Sequence, residues 1–363
     1  MNARLQEAVP QASPQVAVVV LGIGQVGGAL LQLLGSVHGA PLRLCGIADS
    51  SRQWLDADGL ETQVLHAATA RAALHRYGSA RDDAALLHAL ERQPLAQRVI
   101  VDCSADAALA ARHVQWLARG VHVISANKAA LGGSTALWQA LQQARSRGSA
   151  RYGDAACVGA GLPVLSSVRR LHAAGDAPVR IEGVFSGSLS WLFNDWDGST
   201  SFAARLRAAQ AQGYTEPDPR ADLGGEDVAR KLLALVRAAG HTLERAQIAV
   251  DTLVPASLRS LPLAAFLQQA DALDIVLAPW LARARASGGV LRHLACFDAV
   301  SRQARVGLAV VPRDHPAAAL QATDNLFVLH GARDAARPLQ IQGAGAGALP
   351  TAQALLADLL ELC

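Results

Sequence analysis

The amino-acid sequence predicts an α/β fold: a doubly wound parallel sheet followed by a second α/β domain with its own sheet. Three observations carry that reading. Residues 16–21, VAVVVL, are a continuous β-branched run that stops at Gly22-Ile-Gly24-Gln-Val-Gly27-Gly28 and passes into the helical pattern ALLQLLGSV. Strand-type and helix-type segments then alternate at a length that suits crossover connections between parallel strands. Beyond Arg151 the pattern changes to a Gly-rich loop, a proline-stiffened segment and a long amphipathic helix.

The elements follow in order. A second strand runs from Leu42 to Ala48 and ends at Asp49; Arg98 to Asp102 and Val121 to Ile124 supply two more, with Ala-rich amphipathic helices between them. After the loop Val158 to Gly161 come a strand at Arg180 to Phe185, the rigid segment Tyr214-Thr-Glu-Pro-Asp-Pro-Arg220 and a helix over Glu226 to Ala239. Strands at Val290–Phe297, Ala304–Val311 and Leu326–Leu329 complete a second sheet, and Gly343-Ala-Gly-Ala-Gly347 leads into a helix at Thr351 to Leu362. The expected division is 1–150 for the first domain, completed by 338–363, and 151–337 for the second.

Bulk composition narrows the class. A chain of 363 residues, 51% apolar and 17% charged, is long enough for two domains and a large core. The net charge of +3, with arginines scattered among acids, leaves no electrostatic footprint for nucleic acid. Five dispersed cysteines without C-x-x-C or metal spacing read as reduced thiols. The opening MNARLQEAVPQASPQ has no apolar signal core and no run is long enough to span a bilayer, so a cytoplasmic, membrane-free protein is expected.

The glycine turn carries the first chemistry. A G-x-G-x-x-G that follows a buried-type strand, opens a helix and is answered by an acid 27 residues on is the Rossmann dinucleotide fingerprint. Gly22 permits the tight turn, Gly24 lets the backbone approach a pyrophosphate, and Gly27 lets helix and strand pack closely. With Ile23 and Val26 they present the helix N-terminus to the phosphates. The plainer alternative is a glycine turn that binds nothing. Asp49 is expected on the adenine ribose hydroxyls, where it disfavours a 2′-phosphate; Arg52 could offset that charge. The pattern leans to NAD(H) and leaves NADP(H) open.

Lysine usage carries the second. Lys128 and Lys231 are the only lysines among 33 basic residues. An ammonium, unlike a guanidinium, can give up its proton when desolvated. Asp227 and Lys231 stand four apart on the helix, beside the apolar stripe Val228, Leu232, Leu235 and Val236. Such a pair is ordinarily a solvated surface contact. Here Pro217 and Pro219 stiffen the approach and hold Glu216, Asp218 and Asp222 beside the start of the helix; otherwise this is a rigid surface turn with solvated acids.

Four blocks, Val158-Gly-Ala-Gly-Leu-Pro-Val164, Gly183-Val-Phe-Ser-Gly-Ser-Leu-Ser190, Gly213-Tyr-Thr-Glu-Pro-Asp-Pro-Arg220 and Asp222-Leu-Gly-Gly-Glu-Asp-Val-Ala-Arg-Lys231, closely resemble homoserine dehydrogenase, most of all the dehydrogenase half of the bifunctional aspartokinase–homoserine dehydrogenases. The resemblance runs from Gly22 to the tail. It implies reversible NAD(P)H-dependent reduction of L-aspartate 4-semialdehyde to L-homoserine, on the route to threonine, isoleucine and methionine. It makes Lys231 the proton donor to the aldehyde oxygen and Asp227 its orienting partner. Glu216 and Asp222 then bind the substrate ammonium, and Lys128 lies between cofactor and substrate. Ser104 borders the nicotinamide ribose, and Gly347 is expected at the cofactor. The resemblance also implies a sodium ion on the backbone oxygens of Val158, Ala160 and Leu162, although the acid usual three residues before the loop is Ala155 here, with Asp154 one place earlier. It implies a homodimer through the second sheet. With only a short polar lead before residue 15 and an end at Cys363 directly after the last helix, inhibition by threonine is not expected.

Two other readings fit the glycine motif. One is a different Rossmann dehydrogenase, acting on a hydroxy acid or polyol; the other is a dinucleotide-binding sensor without turnover.

Overall fold

The computed structural model describes residues 16–37, 40–60 and 67–363. It divides into two compact units: one holds residues up to Ala130, Gln139–Ala156 and Thr351–Cys363, the other Leu131–Trp138 and Cys157–Pro350. The expectation about the opening fifteen residues lies outside the described residues.

In the first unit the strands are β1 (Val16–Leu21), β2 (Leu42–Ala48), β3 (Arg52–Leu55), β4 (Ser79–Ala80), β5 (Gln97–Asp102), β6 (His122–Ser125) and β7 (Tyr152–Gly153). They form one sheet in the order β4-β3-β2-β1-β5-β6-β7. Five strands from β2 to β7 run parallel, while β3 and β4 extend one edge antiparallel. Every residue of β1 is buried, which is why it reads as an unbroken apolar run and not as an alternation. The helix Gln25–Ser36 buries Leu30, Leu31 and Leu34 against the face of Val16, Val18 and Val20. The final helix, Ala348–Leu360, adds Ala352, Leu355 and Leu359 to the same core.

The second unit is built on β8 (Pro178–Val184), β9 (Ile248–Val250), β10 (Val290–Asp298), β11 (Gln303–Val311), β12 (Asp324–Gly331) and β13 (Leu339–Ala344), in the order β13-β12-β8-β10-β11-β9. All its pairings are antiparallel except β11 with β9. The helix Glu226–Ala238 packs on this sheet with Val228, Leu232, Leu235 and Val236 at most 2% exposed. Burial at that level stabilises by about 2 kcal/mol for each side chain. Its last turn is tied down by Arg237, whose guanidinium donates to the carbonyls of Leu131, Gly133 and Leu243 and to Thr135 Oγ1.

The domain limits differ from those expected at 150 and 338. β13 pairs along its whole length with β12, so residues 338–350 stay with the second unit and the chain returns to the first at Thr351. Residues 131–138 also belong to the second unit, held by Arg237.

Candidate active site

The glycine turn makes a tight passage from β1 into the helix Gln25–Ser36. Gly22 has φ +85°, and a Cβ there would lie 3.1 Å from the backbone of Cys103 and Ser104. At Gly27 a Cβ would fall 2.0 Å from Gly22 O, so only glycine lets the helix start this close to β1. Gly24, at the tip, faces open space with nothing within 4 Å of a Cβ. The first helical N–H groups have no side-chain cap and no acid in the first turn. Uncapped donors, partial positive charge and an open approach fit an anionic dinucleotide.

Asp49 follows β2. Its Oδ1 accepts from Ser51 N at 2.7 Å, Ser51 Oγ at 3.1 Å and Arg52 N at 2.8 Å. Burial pulls its carboxyl upward, but the bonds from Ser51 and Arg52 outweigh that and hold it below the usual carboxylate range. Arg52 is not where the sequence suggested. Its guanidinium turns inward to Leu74 O at 3.1 Å and to Gly78 O, because both carbonyls lie within its reach at the edge of β3. Arg81 takes the neighbouring position, with Nη1 donating to Asp49 O at 2.5 Å and Nε to Asp83 Oδ1 at 2.6 Å.

At the carboxyl ends of β5 and β6 lies a buried polar network that sequence reasoning missed. Asp102, His113, Asn127 and Tyr152 are at most 7% exposed. Asp102 accepts from Ser104 N at 2.8 Å, Asn127 Nδ2 at 2.9 Å and His113 Nε2 at 2.9 Å. The other ring nitrogen of His113 stands 3.1 Å from Tyr152 Oη. Asp102 ending a strand and Asn127 preceding a rare lysine were the available signals. Lys128 and Ser104 are both in this unit.

The second unit gathers the remaining candidates. Gly225, with φ +75°, starts the helix that carries Asp227 and Lys231. Lys231 is buried, and its Nζ lies 2.8 Å from Asp227 Oδ2 and donates to Phe185 O at 2.8 Å. Phe185 is fixed by stacking on Phe327, with centroids 4.6 Å apart. Asp222 Oδ2 accepts from Glu216 N at 2.8 Å, which ties the proline loop to the helix start. Burial raises the Asp222 carboxyl above its ordinary range; bonds from Glu216 N and the Ser188 hydroxyl oppose this, and the charges of Glu216 and Asp227 add to it. Ser188, unflagged by spacing, therefore belongs to the site.

Asp218 stands apart from the other acids of this segment. Arg220 grips it through Nη2 at 2.6 Å and Nε at 2.9 Å, holding its carboxyl below the usual range. The same guanidinium donates to Leu261 O and Arg259 O, so the pair is an anchor for the loop. Glu216, Asp222 and Asp227 lie close enough for their charges to act on one another at Asp222, and Asp227 alone of the three meets the Lys231 ammonium.

Around the expected cation loop, Gly159 and Ala160 have φ +79° and +50°, and Leu162 O already accepts from Val164 N at 2.8 Å. Asp154 is buried and lies 3.4 Å from Arg145 Nη1. No cluster of three or more His, Cys, Asp or Glu side chains that could hold a metal occurs among the described residues. Gly347 has φ +115° and lies in the second unit. His315 caps a short 3₁₀ turn by accepting from Ala317 N. No described helix is long and apolar enough to cross a membrane.

Comparison with known proteins agrees with this geometry. The family model for homoserine dehydrogenase matches residues 163–360, and that for its NAD-binding domain matches 22–152. A bifunctional aspartokinase/homoserine dehydrogenase of Zea mays is 37% identical over 96% of the chain, which spans only 38% of that longer protein. A homoserine dehydrogenase of Emericella nidulans is 35% identical over 96% of the chain and 99% of its own length. A Candida auris protein of unknown function has the same fold, with a TM-score of 0.86 and 31% identity, over 96% of this chain and 98% of its own. The chain belongs to the homoserine dehydrogenase family, NAD(P)-dependent oxidoreductases that act on a CH–OH group.

Proposed function

We propose that this chain interconverts L-aspartate 4-semialdehyde and L-homoserine, with Lys231 as the proton donor and acceptor at the substrate oxygen. The observation that carries the reading is the buried Lys231 Nζ, held by Asp227 Oδ2 and Phe185 O, each at 2.8 Å, on the helix that follows the loop of Glu216 and Asp222. An ammonium has three N–H groups. Asp227 and Phe185 engage two, and the third serves the substrate.

The chemistry follows from charge. In the reducing direction a hydride joins the carbonyl carbon and the π electron pair moves to oxygen, where negative charge develops. Bound NADH or NADPH supplies that hydride. Lys231 meets the new charge, then passes its proton to the oxygen to give the alcohol. In oxidation it takes the hydroxyl proton back. Glu216 and Asp222 receive the substrate ammonium, whose positive charge offsets the burial that chiefly raises the Asp222 carboxyl and the smaller repulsion from Glu216 and Asp227.

The coenzyme is proposed to lie with its pyrophosphate over Gly22, Ile23, Gly24, Val26 and Gly27, the adenine ribose at Asp49 and the nicotinamide ribose near Ser104 and Lys128; Gly347 is proposed as a further coenzyme-binding residue. The Arg81 guanidinium beside Asp49 supports use of both coenzymes. Sodium on Val158, Ala160 and Leu162 and a homodimer through the second sheet complete the proposal; ion titration and light scattering test them. The reaction is tested by homoserine-dependent reduction of NAD⁺ and NADP⁺. A protein that ignores homoserine and oxidises a polyol or hydroxy acid would favour the rival dehydrogenase reading.

A further inference from the structure

Asp102 is fully buried at the carboxyl end of β5 and takes no part in the proton or hydride chemistry described above. Burying a carboxylate is costly, and an apolar side chain of similar size would ordinarily serve a core as well or better. Its placement is specific. Connections run out from β1 in opposite directions, so the crevice between β1 and β5 is the switch point at which such sheets bind dinucleotides. Asp102 pairs in register with Leu21, which precedes the glycine turn, and with Ser125 at the end of β6.

We propose that Asp102, His113 and Tyr152 form a positioning chain that holds the two loops carrying Ser104 and Lys128 in the geometry that grips the coenzyme. This rests on the reading that these loops border the nicotinamide. One carboxylate oxygen accepts from Ser104 N at 2.8 Å and fixes the loop after β5. The other accepts from Asn127 Nδ2 at 2.9 Å, and the same amide nitrogen donates to Asp106 O at 2.8 Å. Asn127 Oδ1 in turn accepts from Ala129 N at 3.1 Å, so the backbone on both sides of Lys128 is held through one side chain.

His113 completes the set. A carboxylate only accepts, so the ring nitrogen facing Asp102 carries the proton, and its other nitrogen accepts from the Tyr152 hydroxyl. Tyr152, on β7, thereby satisfies the ring nitrogen that the tautomer set by Asp102 leaves as an acceptor. Removing the ring leaves a buried oxygen short of one donor and frees the carboxylate to rotate away from Ser104 and Asn127. His113 and Asp102 act through Ser104 and Lys128 and touch neither substrate nor coenzyme themselves.

The test compares His113→Phe, His113→Gln and Tyr152→Phe with wild type. The readouts are thermal melting, coenzyme affinity by NADH fluorescence titration, and kcat and KM for homoserine. His113→Phe is expected to fold, to weaken NADH binding about tenfold and to lower kcat, with KM for homoserine within about twofold of wild type. Gln at 113 donates to Asp102 and accepts from Tyr152, so it restores most of both losses. Tyr152→Phe shifts the same quantities in the same direction, by less. A folded His113→Phe with wild-type NADH affinity and kcat overturns the proposal, as does a loss that His113→Gln fails to recover. If His113→Phe does not fold, Tyr152→Phe decides alone, and unchanged NADH affinity and kcat there overturn it. The titration needs no substrate. A wild-type protein that binds NADH but does not oxidise homoserine would therefore defeat the proposed reaction and leave the positioning chain standing.

Discussion

Lys231 Nζ lies 2.8 Å from Asp227 Oδ2, one helical turn apart, and the lysine is buried while its partner is half exposed. That asymmetry separates the pair from an ordinary surface contact, because the ammonium cannot swing into solvent and its direction is set by Asp227 and Phe185 O. Lys231→Met keeps the length and removes the proton. It should fold and bind NADH normally while losing about 10²- to 10⁴-fold in kcat. A variant within a few-fold of wild type would remove Lys231 from the chemistry.

The acids are expected to divide between binding and stability. Glu216→Ala should raise KM for homoserine and leave NADH affinity alone; an unchanged KM would reduce Glu216 to a loop residue. Asp222→Asn is informative in the opposite sense. A carboxyl whose folded pKa is raised costs stability above that pKa and costs nothing once pH falls below its unfolded value. At neutral pH Asp222→Asn should therefore melt at the same temperature or higher, yet bind homoserine worse. A large fall in Tm would mean that its bonds to Glu216 N and Ser188 matter more than its charge.

Coenzyme choice should turn on Asp49 and Arg81, not Arg52. Asp49→Ser removes repulsion of a 2′-phosphate and should shift kcat/KM toward NADP(H). Arg81→Ala should shift it toward NAD(H). Arg52→Ala, whose guanidinium is spent on Leu74 O and Gly78 O, should lower stability with little change in the coenzyme ratio. A ratio that follows Arg52 would contradict this assignment.

His293 gives a prediction in acid. Both ring nitrogens are buried without a hydrogen-bond partner, and burial pushes the pKa down to about 4, against a weaker pull from Asp251. Between an unfolded value of about 6.5 and that folded value only the unfolded chain takes the proton, so stability falls as pH drops through this window. His293→Leu should remove that component, on the order of 2–3 kcal/mol at the acid end. Urea titrations of both proteins at neutral pH and near pH 4.5 measure it. Parallel losses in the two proteins would show that His293 is not the source.

Legibility in the sequence followed the range of the interaction. β1, the glycine turn and its helix are contiguous, and Gly27 is required by a contact within the turn itself, so they could be read directly. Asp227 and Lys231 were visible for the same reason, since helical spacing alone brings them together. Phe185 O, 46 residues from Lys231, was not, because only the docking of the helix on the second sheet creates that contact. Arg52 lies next to Asp49 in sequence yet is turned inward, and Arg81 arrives from 32 residues away. The tail is a similar case: residues 338–363 are expected with the first domain, but Leu339–Ala344 pairs with β12, a long-range choice.

The most direct test is a homoserine-dependent assay of purified protein, following reduction of NAD⁺ and NADP⁺ in parallel with Lys231→Met. Turnover of homoserine by wild type that collapses in the variant, with NADH affinity intact in both, is the predicted result. Homoserine oxidation that survives the loss of Lys231, or none by a wild type that binds NADH, would contradict the central role given to this lysine.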